Sequence, residues 1–207
     1  MPYGYLGTAP NQIKNNSGVF SVSDINELEA KGHFGGSLEL IQSQTVSGVS
    51  QVDFTSIKEA EYDVHFVTYN IKPSADTQNY IRFSNDSGSS FETGNYEYAF
   101  EIQDSASGTG ETRSTSSSQM YLSYGGGASA NEKHTAYYYF YNLGNASRYS
   151  FITAQVNTQS STGSLHSFIG MSVYGVAETI NGIRLYQQNG TMTGVVKLFG
   201  VKQIWVT

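Results

Sequence analysis

The chain has 207 residues with 17 acidic and 11 basic side chains, a formal charge of −6, 22 glycines, 16 tyrosines and no cysteine. Only 14% of residues are charged, against roughly a quarter in an average soluble protein, and the few Lys and Arg are dispersed, which argues against a nucleic-acid partner held by phosphate neutralisation. Disulfides, thiolate metal sites and cysteine nucleophiles are excluded, and no stretch approaches the ~18 apolar residues of a membrane span, so no membrane insertion is expected.

Residues 1–20 are polar and rich in Gly and Asn, with no sustained periodicity, and read as an extended arm. The segment MPYGYLGTAPNQIKNN lacks the charged start and apolar run of a secretory signal. A short helix is expected over about 24–31. Asp24 can cap it, Glu27 three residues on completes a capping box, and Gly32 suits the residue after its end. Two turns do not persist alone in water, so this helix must dock on something.

From Leu38 onward, period-2 patterns dominate. In Tyr96-Glu97-Tyr98-Ala99-Phe100-Glu101-Ile102 the four large apolar residues fall on one face and the glutamates on the other. Glu61 to Tyr69 starts by alternating and becomes apolar on both faces. Further strands are expected over 38–44, 49–55, 79–84, 119–124, 135–142, 149–157, 165–174, 181–187 and 194–206, separated by turns such as Asn85-Asp86-Ser87-Gly88 and Asn189-Gly190. Residues 104–118 (DSASGTGETRSTSSS) and 125–131 (GGGASAN) are low in complexity and read as exposed loops. Many short strands without crossover helices predict an all-β protein, an antiparallel sandwich or barrel.

Local spacing carries little catalytic chemistry. His33, His65, His134 and His166 lie in separate segments, without the spacing of a zinc pair, and His65 in its apolar strand reads as a packed, hydrogen-bonded residue. Glu97 and Glu101 share a strand face but sit ~13 Å apart at ~3.3 Å per residue, beyond the ~5–9.5 Å of a glycosidase pair. No Gly-x-Ser-x-Gly elbow or P-loop is present. No catalytic, metal or cofactor site is therefore expected. The aromatic run Ala136–Tyr141 says more: Tyr138 and Phe140 point one way, while Tyr137, Tyr139 and Tyr141 form a ladder the other way. Such a ladder can cover a core, pack on a neighbouring subunit or stack on sugar rings.

Gly4-Tyr5-Leu6-Gly7, Pro10-Asn11-Gln12-Ile13 and Ser17-Gly18-Val19-Phe20-Ser21-Val22-Ser23-Asp24-Ile25 with Leu28 resemble the start of virion proteins of tailed phages of marine bacteria and cyanobacteria. Ile180–Tyr186 and Gly190–Val201, with their Gly-containing turn before Gly194-Val195-Val196-Lys197-Leu198-Phe199-Gly200, are similar to the closing strands of phage β-jelly-roll proteins. Phe54–Glu59 and Tyr139–Gly144 are compatible with the same group. The resemblance implies a non-enzymatic virion protein made in the bacterial cytoplasm, with an N-terminal anchor over 1–36 and a jelly roll over 37–207. It also implies homotrimers, with the major capsid protein or other virion proteins as partners. Val19, Phe20, Ile25 and Leu28 are the expected anchor residues. Capsid decoration is the leading expectation. A tail fibre or receptor-binding tip, contacting host polysaccharide through Tyr137, Tyr139 and Tyr141, is the alternative.

Overall fold

Twelve β-strands make up the fold seen in the computed structural model, which describes residue 23 and residues 37–202. The expected helix over 24–31 and the expected anchor residues Val19, Phe20, Ile25 and Leu28 lie outside the described residues. In chain order the strands are β1 (Leu38–Val49), β2 (Gln51–Phe54), β3 (Val64–Pro73), β4 (Thr77–Ser84), β5 (Tyr96–Asp104) and β6 (Gly108–Ser117). They continue as β7 (Met120–Gly126), β8 (His134–Tyr141), β9 (Ser150–Gln159), β10 (Leu165–Tyr174), β11 (Gly182–Gln187) and β12 (Met192–Val201).

Every ladder is antiparallel. Eight strands form one sheet in the order β1-β12-β3-β8-β9-β10-β5-β6, and four form a second in the order β2-β11-β4-β7. The protein is an all-β antiparallel sandwich. Alternation along each strand explains why the sheets pack: Val67, Tyr69 and Ile71 of β3, Tyr138 and Phe140 of β8, and Ile81 and Phe83 of β4 are all buried in one core. Phe83 of the small sheet meets Tyr96, Phe140 and Tyr174 of the large sheet at ring-centroid distances of 6.4, 6.0 and 6.0 Å. Tyr96 is fully buried, and its phenol oxygen accepts the Phe83 N–H at 2.9 Å while its hydroxyl donates to the Glu92 carbonyl. The aromatic excess thus fills the core and still satisfies a polar tip.

Residues 104–118 depart from the sequence expectation. They are not a loop: β5 runs to Asp104, the chain turns, and β6 pairs back along β5. Asp104 builds the turn, accepting from the Ala106 N–H at 2.9 Å and the Ser107 hydroxyl at 2.6 Å, and Gly108 takes a φ of 89°. A strand at the edge of a sheet needs only one neighbour and no apolar alternation, so Ser, Thr and Gly serve there without leaving a hydrophobic signature. The loop expected at 125–131 starts two residues later, because Gly125 and Gly126 end β7. The Asn189-Gly190 turn is as expected, with Gly190 at φ 74° between β11 and β12.

Phe83→Ala removes the ring that joins the two sheets and should cost about 3–5 kcal/mol in urea denaturation. A loss below about 1 kcal/mol would show that this ring does not bear the packing.

Candidate functional site

The outer face of the large sheet, turned away from the small one, collects the side chains that the core leaves over. In β8, Tyr138 and Phe140 are fully buried, whereas Tyr137 is exposed and Tyr139 and Tyr141 are half-buried on the opposite face. The structure therefore places Tyr137, Tyr139 and Tyr141 together, as the local alternation predicts. Tyr139 and Tyr141 stack with centroids 6.5 Å apart and planes 26° apart, and Tyr137 stands edge-on to Tyr139 at 6.3 Å. The Tyr137 hydroxyl donates to Gln155 Oε1 at 2.7 Å, and the Tyr141 hydroxyl lies 3.3 Å from Thr153 Oγ1. Both partners come from β9, so the ladder is pinned across the strand pair.

Register extends this ladder over the whole sheet. Tyr139 sits opposite Phe66 of β3, which sits opposite Phe199 of β12, which sits opposite Leu40 of β1. Phe66 packs on Tyr139 at 4.7 Å and on Phe199 at 6.1 Å. In the other direction Tyr139 sits opposite Thr153, then Met171 of β10, then Ala99 of β5. One row over, Tyr141 faces Phe151 of β9. Leu40, Phe151 and Met171 are 53%, 45% and 61% exposed. Eight strands ~4.8 Å apart make a face about 34 Å across, and about four alternate residues along each strand give it roughly 700 Å². The aromatic and apolar side chains run contiguously across the middle of this face from Leu40 to Met171, the kind of exposed apolar patch that marks a contact surface.

The charges on this face are segregated. Glu97 and Glu101 of β5 and Glu111 of β6 are exposed at one end, while Lys197 of β12 is exposed towards the other. Arg113 and Glu111 pair at 2.8 Å in the acidic region. Beside them the surface sinks into two adjoining hollows of about 530 and 690 Å³, which share Ala99, Arg113 and Met171.

Two clusters inside the sandwich bring together chemistry-bearing residues that sequence spacing could not connect. Ser164, His166 and Asp104 meet where the β9–β10 turn lies against the end of β5. The Ser164 hydroxyl is 3.1 Å and the Asp104 carboxylate 3.3 Å from His166, but both approach the same nitrogen, Nε2. A serine–histidine–carboxylate relay needs its two partners on opposite ring nitrogens, so this trio staples a turn and does not form an activated nucleophile. The Asp104 carboxyl is held down to about 2, first by the Ser107 hydroxyl and then by the Ala106 N–H.

The second cluster surrounds Asn79 of β4. The Tyr69 hydroxyl donates to its Oδ1 at 3.0 Å, and its Nδ2 donates to Ser123 Oγ at 2.8 Å and to His134 Nδ1 at 2.6 Å. An amide nitrogen only donates, so His134 Nδ1 must be unprotonated and the ring neutral with its proton on Nε2. Among the described residues Nε2 finds no hydrogen-bond partner. The ring lies against Gly126, where an added Cβ would come within 2.0 Å of it, so only glycine fits there. Burial drives the His134 pKa down to about 4. His65 is likewise fully buried, donates from Nε2 to the Ile57 carbonyl at 2.8 Å, and has its pKa lowered by burial. It is the packed histidine expected from its strand. Both rings are fully buried and neutral.

On the small sheet, Arg184 makes a bidentate pair with Asp53 at 2.8 and 2.7 Å and stacks on Phe91 at 3.8 Å, tying the 85–95 loop down. Among the described residues no group of three or more His, Asp or Glu could hold a metal ion. No family model, curated protein or solved structure matches this chain.

The His134 environment sets a pH dependence. Its folded pKa lies below the ordinary value near 6.5, so the unfolded chain binds more protons between the two. The contribution is fully present above pH ~6.5 and is lost as pH falls towards 4, by about 2–3 kcal/mol. Urea midpoints should fall over that window, and His134→Gln should flatten the slope. An unchanged slope in the variant would remove His134 as its source.

Proposed function

We propose that this chain is a non-enzymatic structural protein of the virion surface of a tailed phage, a capsid decoration protein attached through its N-terminal 36 residues. The observation that carries this reading is the broad aromatic and apolar outer face of the large sheet, a surface suited to packing against another protein. The wiring supports it as well. Strands β1-β12-β3-β8 lie side by side in one sheet and β2-β11-β4-β7 form the other. Two interleaved four-stranded sets support a jelly-roll reading, a two-sheet, eight-stranded design used in viral capsid domains. On this reading β5–β6 and β9–β10 are two inserted hairpins that widen one sheet from four strands to eight and so create the outer face. The chain's partners are other copies of itself and the major capsid protein.

A tail-fibre or receptor-binding role is the second reading. Tyr137 is exposed and bonded to Gln155, which supplies a flat ring beside a polar group for a host sugar.

Locating the chain on purified virions by imaging separates the two. Decoration predicts density on the capsid, and removal of residues 1–30 should abolish incorporation. Density along the tail or fibres would favour receptor binding. Undiminished incorporation of the truncated chain would sink the anchor.

A further inference from the structure

The outer face divides into two unlike halves about its middle, between β8 and β9. The β12-β3-β8 side carries three aromatic rings, Phe199, Phe66 and Tyr139, along its central row. The β9-β10-β5 side carries Thr153, Met171 and Ala99 in that row, smaller or unbranched side chains with the two hollows beside Met171 and Ala99. Charge divides the same way, Lys197 on the aromatic side and Glu101 on the other. Both occupy one cross-strand row, Lys197 opposite Thr68, then Tyr137, Gln155, Ile169 and Glu101.

We propose that this face pairs with the same face of a second copy, about a two-fold axis that runs parallel to the strands between β8 and β9. Four strands lie on each side of that axis. The rotation sets β12 over β5, β3 over β10 and β8 over β9. Phe199 then faces Ala99, Phe66 faces Met171, and Lys197 faces Glu101, with each contact made twice. The other in-plane axis, across the strands, would bring the acidic β5–β6 ends of both copies together, a like-charge juxtaposition. About 700 Å² from each copy gives about 1,400 Å² in all, within the range of specific, stable interfaces. A ring of three needs two different patches on each subunit. Here the complementary halves share one surface, and a two-fold axis satisfies both at once, so this face is assigned a pair, whereas the phage resemblance implies a trimer.

This inference rests on reading the outer face as an assembly surface. It stands or falls separately from virion location, because imaging reports where the chain sits and cross-linking reports what covers the face.

The natural chain contains no cysteine, so the test can place its own. Facing sheets pack about 10 Å apart, within reach of a short bismaleimide cross-linker. Within one copy, the five inter-strand steps between residues 197 and 101 separate them by about 24 Å, beyond that reach. The full chain carrying both Lys197→Cys and Glu101→Cys should give a covalent dimer of twice 22.6 kDa and nothing larger, since the two-fold closes both links. Neither single variant should cross-link, and sedimentation of the unmodified chain should give the dimer mass. Single variants that cross-link as well as the double variant would overturn the axis. Trimers, an open-ended ladder or a monomer throughout would overturn the pairing. Normal sedimentation of the double variant guards against misfolding as the cause of a blank.

Discussion

The structure depends on a mismatch between its two sheets. Eight strands face four, and among the described residues the small sheet covers one side of the large sheet while the other side has no layer over it. Side chains alternate along every strand, and the same β8 sequence that sends Tyr138 and Phe140 into the core must send Tyr137, Tyr139 and Tyr141 out. In an antiparallel sheet with one solvated face, that outward set is commonly polar. Here β3, β9 and β12 also carry Phe66, Phe151 and Phe199 on it. The outer face is a consequence of fold geometry together with a choice of residues that geometry alone does not demand.

The interior supports that surface through polar clusters and rings that join the strands beneath it. Asn79 spends both amide hydrogens and its carbonyl oxygen on Ser123, His134 and Tyr69, joining β3, β4, β7 and β8 across the two sheets. Phe83 does the same through ring contacts. The acceptor role of His134 Nδ1 in this network requires a neutral ring, whose Nε2–H is left without a hydrogen-bond partner among the described residues. The Ser164–His166–Asp104 trio likewise spends its polar groups on holding a turn in place. These clusters hold residues that could do chemistry in other settings, yet each is committed to holding strands and turns together.

Much of this was legible in sequence, where the signal is local. The β5 alternation from Tyr96 to Ile102 and the split of the β8 tyrosines need only a two-residue period, and Leu165–Tyr174 matches its expected bounds. β6 was not legible, because an exposed edge strand of Ser, Thr and Gly carries no apolar rhythm. The neighbours of the tyrosine ladder were hidden for a different reason. Phe66, Phe199 and Met171 join it through register between strands distant in sequence, and nothing in a single segment records which row they occupy. The Asn79–His134 cluster is non-local in the same way, its two residues lying 55 positions apart.

The central claim is that the outer face is covered by protein when the molecule assembles. Hydroxyl-radical footprinting of the intact chain over a range of concentrations tests this side chain by side chain. Met171, 61% exposed in the single chain, should become protected together with Tyr137, Phe151 and Phe66 as concentration rises. Tyr186, on the small sheet, should keep a constant reactivity. Labelling of Met171 and Phe151 that stays constant at every concentration, and in isolated virions as well, would contradict the account.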